Sequence, residues 1–368
     1  MRICLLEPYA TGSHAAWAHG YAAHSRHQVD LLTMAGRFWK WRMHGGAVTL
    51  ARCYREQDID ADLLLATDML DLPTFLALTR DRTHGLPVAL YMHENQLTYP
   101  WPPEQRPDLH YAFINYASML SADSILFNSH YHLESWFEAL PRLLRHFPDY
   151  NELSTVRHLR SKSEVLPLGL DLAALDAHRP SEPRTGPALI VWNHRWEYDK
   201  APEAFLDALY SLAARDVPFC VALLGEAFER PPKVLEEAVD RLRDRVVHVG
   251  YAKDRGGYAR WLWRGDIVVS TALHDFFGAA VVEAMYCDCL PILPDRLTYP
   301  QFIPSSHRER CLYSDQDGLV ALLERATTDV AVTRAVSLRC AVARYDWSIQ
   351  APEYDRRFAH LAQQQADA

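Results

Sequence analysis

The segment from Ile267 to Met285 limits the fold of this chain more than any other. Ile267-Val268-Val269-Ser270 reads as a short buried strand, and from Gly278 apolar residues recur at helical spacing through Met285. A strand feeding directly into a helix is the repeating unit of a parallel α/β sheet. Two carboxylates straddle the turn, Asp275 in the loop and Glu283 two turns into the helix. The backbone N–H groups around Phe277, Gly278 and Ala279 would form the open N-terminus of that helix, where an anion is favoured. One carboxylate can bind sugar hydroxyls and the other a ribose, with phosphates over the amides between them. That layout suits a nucleotide sugar.

The same alternation runs through the whole chain and restarts once. Strands are expected at Arg2–Glu7, Val29–Thr33, Leu63–Ala66, Val88–Met92 and Ser124–Phe127, with helices between them and Ser13 as the N-cap of the first. Val165–Asp171 closes this half, and a Pro/Ser/Gly-rich stretch over Arg179–Pro187 follows. The second half has strands at Leu189–Trp192, Phe219–Leu224, Val246–Val249, Ile267–Ser270 and Pro291–Leu293, and helices at Pro202–Ala214 and Lys233–Arg243. The expected architecture is two doubly wound Rossmann-like α/β domains facing across a cleft, with ligands at the carboxyl ends of the strands. The expected boundaries are 1–170 for an acceptor-binding domain, 171–347 for a nucleotide-sugar domain and 348–368 for a C-terminal helix.

Composition narrows the function class. With 49% hydrophobic and 23% charged residues the chain is an ordinary globular protein, and no apolar run approaches eighteen residues, so no membrane span is expected. Seven cysteines, scattered and odd in number, point to a reducing compartment and a cytoplasmic location. Cys287 and Cys289 lack a second ligand pair and read as small buried residues. The net charge of −9 argues against general nucleic-acid binding, yet Leu31–Arg55 contains no Asp or Glu. That window carries Arg37, Lys40 and Arg42 interleaved with Phe38, Trp39 and Trp41. A second basic group, including Arg142 and Arg145, lies in the same half. A basic, aromatic face on an acidic protein could hold a polyanion; an aromatic-rich strand edge packed internally is the alternative.

Several residues could carry chemistry. Arg195 and Lys200 follow a strand and precede a helix, where a guanidinium and an ammonium can hold a diphosphate and neutralise a leaving group; a pair of solvated surface charges is the alternative. His93, Glu94, Asn95 and Gln96 follow a first-half strand and can bind sugar hydroxyls or position an acceptor. Gly12 and Ser13 could bring backbone amides to a phosphate, and Tyr251 could pack beside a base. No phosphate loop, nucleophile elbow or zinc helix is present in the sequence, and nothing in it calls for a catalytic metal or a cofactor.

The Asp275/Glu283 pair, Arg195 with Lys200, and Gly250-Tyr251 are similar to the second domain of GT-B retaining glycosyltransferases of family 4, which usually carry Glu where this chain has Asp275. A more specific likeness spans nearly the whole chain. Gly12-Ser13-His14, Phe38–Arg42, Met92–Pro100, Phe127-Asn128-Ser129, Trp192–Lys200, His274–Gly278 and Tyr299-Pro300 resemble the tRNA-queuosine α-mannosyltransferases. The resemblance implies retaining transfer of mannose from GDP-mannose to queuosine in the anticodon of the aspartate tRNA. It implies diphosphate binding by Arg195 and Lys200 with Gly12-Ser13 near the phosphates, ribose binding by Glu283, and mannose binding by Asp275. His93 would line the sugar face as part of a catalytic set with Arg195, Lys200 and Asp275. The Arg37–Arg42 segment, Glu94–Gln96, Arg142 and Arg145 would meet the tRNA. A related enzyme with another donor or a small-molecule acceptor, and a non-catalytic RNA- or nucleotide-binding protein, stand as the alternatives.

Overall fold

The computed structural model describes residues 1–101, 108–225 and 233–366. The chain forms two units, Met1–Leu170 with Tyr345–Ala368, and Asp171–Arg344. The first unit holds β1 (Arg2–Ala10), β2 (Gln28–Ala35), β3 (Leu63–Thr67), β4 (Val88–Met92), β5 (Ser124–Phe127) and β6 (Ser163–Val165). All pairs are parallel, in the order β2-β1-β3-β4-β5-β6. Between them run α1 (Gly12–His24), α2 (Trp39–Glu56), α3 (Leu72–Thr83), α4 (Leu109–Ser121), α5 (His130–Leu144) and α6 (Thr155–Ser161). Both β3 and β4 are buried throughout, which explains their unbroken apolar runs in place of alternation.

The second unit repeats the plan with β7 (Ala188–Trp192), β8 (Phe219–Leu224), β9 (Val246–Gly250), β10 (Ile267–Val269), β11 (Leu290–Pro294) and β12 (Leu312–Tyr313). Its parallel order is β12-β11-β10-β7-β8-β9. The helices are α7 (Pro202–Ala214), α8 (Lys233–Leu242), α9 (Arg255–Arg264), α10 (Ala279–Tyr286), α11 (Arg308–Cys311), α12 (Gln316–Thr328), α13 (Val330–Ala335) and α14 (Arg339–Val342). In each sheet the winding reverses once, between β1 and β3 and between β7 and β10. Such reversals open a crevice at the carboxyl ends of the two strands.

One local expectation is corrected. Thr11, not Ser13, precedes the first helix, and no side chain caps it; Gly12 makes the turn with a φ of +49°. The short strands β6 and β12 leave no periodic signal in the sequence.

The last element, α15 (Trp347–Ala366), belongs to the first unit, and the chain re-enters that unit at Tyr345 rather than continuing the second to 347. Leu170 N–H donates to Tyr345 O at 2.8 Å and Trp347 N–H to Leu170 O at 2.9 Å. Trp347 is fully buried; its ring lies over Gly20 and Gly169, where any Cβ would collide with it. Trp17 Nε1 donates to the Tyr354 hydroxyl at 3.0 Å, and Tyr21 Oη donates to Asp355 at 3.0 Å. Among the described residues no helix is long and apolar enough to cross a membrane. Trp347→Ala should cost the first unit about 3–5 kcal/mol, the range for truncating a buried aromatic. Urea unfolding checks this; a loss well under 1 kcal/mol would mean that α15 does not close the core.

Candidate active site

In the second unit the loops after β7 and β10, the two strands at the winding reversal, are tied together through Lys200. Its Nζ donates to His274 O at 2.8 Å and pairs with Asp199 Oδ2 at 2.9 Å, and the residue is only 8% exposed. An ammonium has three N–H donors, so the bond to His274 O leaves donors for a ligand. The Thr271 hydroxyl donates to Lys200 O at 2.8 Å and Leu273 N–H donates to Asp199 O at 2.7 Å. Asp275 accepts from Gly278 N–H at 3.0 Å and from the Tyr299 hydroxyl at 3.0 Å. Burial opposes its charge, but Lys200 and the Tyr299 bond prevail and hold its carboxyl below the usual range. The Gly278 amide is therefore not among the open donors expected at the start of α10. Gly278 itself takes a φ of +84° to begin the helix beside the Tyr299 ring.

Glu283 is 9% exposed and doubly held, by Arg255 at 2.6 Å and by the Tyr258 hydroxyl at 2.9 Å. Asn193, the first residue after β7, donates to that hydroxyl at 3.0 Å and to Ala280 O at 2.8 Å. Arg195 is half exposed and pairs with Glu197 at 3.4 Å, while Phe277 is buried and Tyr251 stands 70% exposed after β9. The structure thus brings Lys200 and Asp275 into one bonded group. It places Glu283 in a second group, and it adds Asn193, Arg255, Tyr258 and Asp199, which spacing alone did not single out. His194 and His274 are held neutral: burial first, then the Lys200 charge, lowers each to about 4.

The first unit has a buried polar group at its own reversal. Glu7, 0% exposed in β1, accepts from Tyr9 N–H at 2.7 Å and meets His14 Nδ1 at 3.0 Å. The His14 ring lies 4.3 Å from that of His93, and Trp17 stands edge-on to His93 at 4.6 Å. Asp68, directly after β3, accepts from His93 N–H at 2.7 Å, and Asn128 after β5 donates to His93 O at 2.7 Å. Burial opposes charge on His14, but the Glu7 carboxylate outweighs it and raises the imidazole to about 9. His93 goes the other way, lowered well below the ordinary range by burial and by the His14 charge. Its Nε2 is enclosed and has no partner among the described residues. Glu7, His14 and His93 bring donor atoms within 4.8 Å of one another, a set that could take a metal ion. A cation there would have to displace the proton that Glu7 holds on His14.

Other first-unit candidates divide into inward and outward groups. Asn95 is buried and its Oδ1 accepts from the amides of Leu97 and Thr98, at 3.1 and 2.8 Å. Gln96 N–H donates to Asn115 at 2.9 Å, so the Asn95 oxygen and the Gln96 backbone brace the loop, while Asn95 Nδ2 is buried with no partner among the described residues. Glu94 is half-buried and accepts from Gln96. Phe38 and Trp41, at 78% and 63% exposed, project from the start of α2, not from a strand edge. Trp39 packs inward on Tyr111 at 4.9 Å, with Lys40 Nζ 5.6 Å from its ring, and so is not free to stack on a base. Arg37, Arg142, Arg145, Gly12 and Ser13 are exposed.

Comparison with known proteins decides what this pair of sites belongs to. Residues 2–170 match the family described as tRNA-queuosine alpha-mannosyltransferase N-terminal, and residues 187–329 match glycosyl transferases group 1. The tRNA-queuosine alpha-mannosyltransferase of Drosophila melanogaster is 30% identical over 329 residues, 87% of this chain and 85% of that protein. The chain belongs to the tRNA-queuosine α-mannosyltransferase family. It is a glycosyltransferase, and its fold is GT-B. Anabaena HepE in complex with UDP and glucose superposes with a TM-score of 0.68 at 14% identity, covering 97% of this chain and 99% of that one. The sucrose-phosphate synthase of Thermosynechococcus elongatus gives 0.69 at 15%, covering 98% and 99%. A GDP-mannose:cellobiosyl-diphosphopolyprenol alpha-mannosyltransferase of Xanthomonas campestris is 25% identical over 166 residues, 43% of each chain.

The raised His14 carries a sign that can be measured. The stability it contributes is complete below about 6.5, its ordinary value, and is lost as pH rises through about 9. NMR titration of the glycosyltransferase should place the His14 midpoint near 9, and Glu7→Gln should move it below 7. A midpoint unmoved in that variant would remove Glu7 as the cause. On the acid side, stability from neutral His194 and His274 is present above about 6.5 and lost as pH falls toward 4.

Proposed function

We propose that the enzyme transfers mannose from GDP-mannose to queuosine in the anticodon of the aspartate tRNA, with retention at the anomeric carbon. The observation that carries this reading is the extended likeness to the Drosophila enzyme together with the queuosine-family match over residues 2–170. The sugar nucleotide belongs to the second unit. Lys200 and Arg195 face the diphosphate with the first open amides of α10, supplying charge that a divalent ion would otherwise provide. Glu283, already oriented by Arg255 and Tyr258, accepts the ribose hydroxyls, and Asp275 accepts those of mannose. Tyr251 lies beside the base. Because Asp275 already takes two bonds that fix its carboxylate, the shorter side chain is held rigidly where a Glu would need more room.

The acceptor belongs to the first unit. Phe38 and Trp41 offer exposed rings, and Arg37, Lys40, Arg142 and Arg145 offer cations with no ion pair to a carboxylate among the described residues. Unpaired loop bases are held in this way, by stacking with the backbone phosphates neutralised alongside. His93, neutral and backbone-fixed between Asp68 and Asn128, has an unsatisfied ring nitrogen, and a sugar hydroxyl reaching it would recover the cost of that burial. The predicted course is front-face substitution: the queuosine hydroxyl attacks from the side that GDP leaves, and the departing phosphate takes its proton. Free cysteines throughout suit a cytoplasmic enzyme.

Incubation with queuosine-containing aspartate tRNA and GDP-mannose, followed by nucleoside mass spectrometry, should show a hexose-sized gain on queuosine. No gain with any sugar nucleotide, despite sugar-nucleotide binding, would sink the acceptor. Lys200→Ala should lower kcat by roughly 100-fold or more, as for loss of one charge-stabilising donor, while tRNA binding persists. Wild-type turnover in that variant would refute the phosphate role.

A further inference from the structure

Between the outer faces of α4 and the end of α5 the first unit carries a cavity of about 330 Å³ that nothing in the reading so far uses. Leu109, His110, Phe113, Leu143, His146 and Phe147 line it. Phe113 and Phe147 are 41% and 40% exposed and stand edge-on to each other at 5.9 Å, so two aromatic rings form an open wall. A chain of rings leads to it from the start of α2. Trp39 meets Tyr111 at 4.9 Å, Tyr111 meets His44 at 5.5 Å, and His44 stacks on His110 at 4.9 Å with a 21° angle between planes.

Charge selects the occupant. Arg142 and Arg145 alternate along α5 and its C-cap with the lining residues Leu143 and His146, and both are exposed with no carboxylate partner among the described residues. Asp108, the nearest acid before α4, has an oxygen occupied by the His110 amide at 3.1 Å as the cap of that helix. A slot with aromatic walls, next in the chain to two exposed arginines, is matched by a planar ring flanked by phosphates. An apolar side chain from a protein partner would gain nothing from the two arginines.

We propose that this cavity receives one unpaired nucleobase of the RNA acceptor, distinct from the modified base, while Arg142 and Arg145 hold the phosphates on either side of it. The inference rests on the RNA-acceptor reading above. It extends the contact surface from the exposed rings at the start of α2 along α4 to the end of α5, so the strand is gripped at two points.

The test is tRNA binding by the full-length enzyme across a salt series, with thermal unfolding as the check on folding. A Phe113→Leu, Phe147→Leu double variant should bind queuosine-containing tRNA about tenfold more weakly, as for loss of one stacked base. Phe147→Trp, which keeps a stacking face, should bind like wild type. Arg142→Gln with Arg145→Gln should reduce the slope of log affinity against log salt by about 1.4, the contribution of two phosphate contacts on a single strand. Unchanged affinity in the leucine variant would overturn the proposal, as would equal weakening by leucine and tryptophan accompanied by a lower Tm. If wild type itself shows no salt-dependent tRNA binding, the acceptor reading fails first, and that outcome is distinct from wild-type binding that the cavity variants leave untouched.

Discussion

Every strand in both sheets runs the same way, so every strand ends at the same edge of its sheet. Side chains that are far apart in sequence are thereby delivered to one place: Glu7, Asp68, His93 and Asn128 in the first unit, and Asn193, Lys200, Asp275 and Glu283 in the second. The reversal of winding then decides which pair of strand ends leaves room. In each unit buried, hydrogen-bonded groups flank that reversal. The chemistry follows from this geometry more than from any one residue type.

Placing charge at a buried sheet edge is expensive, and the two units meet that cost differently. The first confines a proton to an imidazole against a wholly buried carboxylate, and burial, with that charge added, lowers the neighbouring His93. The second uses an ammonium fixed by a carbonyl and a carboxylate; burial first and then that charge lower His194 and His274, while the charge offsets burial at Asp275. In both, a buried cation adds to what burial does to its surroundings. Removing either would leave partners that were built around it without compensation.

The order of strands and helices was legible because apolar runs and turn residues mark each repeat; β4, β5, α7 and β8 fall at the residues read from the sequence. The loop positions of His93, Lys200 and Asp275 after their strands, and that of Glu283 in the helix that follows, were legible for the same reason. Their partners were not. Glu7 looks like any residue in an apolar strand, and Arg255 and Tyr258 lie more than twenty positions from the carboxylate they hold. Nor could the sequence say which way the Asn95 amide turns, because a polar residue in a loop turns inward as readily as outward, and the amides of Leu97 and Thr98 are what hold its oxygen. Trp39 and Trp41 differ in the same way: adjacent aromatics at a helix start point to different sides.

The return of the chain to the first unit has a consequence for synthesis. Leu170 is bonded on one side to Tyr345 and on the other to Trp347, so the segment that leaves the unit is fastened to the segment that comes back. On the ribosome the first unit emerges early but lacks Trp347, Tyr354 and Asp355, so the Trp17 indole N–H has no Tyr354 hydroxyl and the Tyr21 hydroxyl no Asp355 carboxylate to donate to until those residues arrive. The second unit, by contrast, is complete before the last helix leaves the exit tunnel. The unit that is begun first is therefore closed only by the returning segment, and a chain lacking α15 would carry a finished second unit attached to a first unit with an open core.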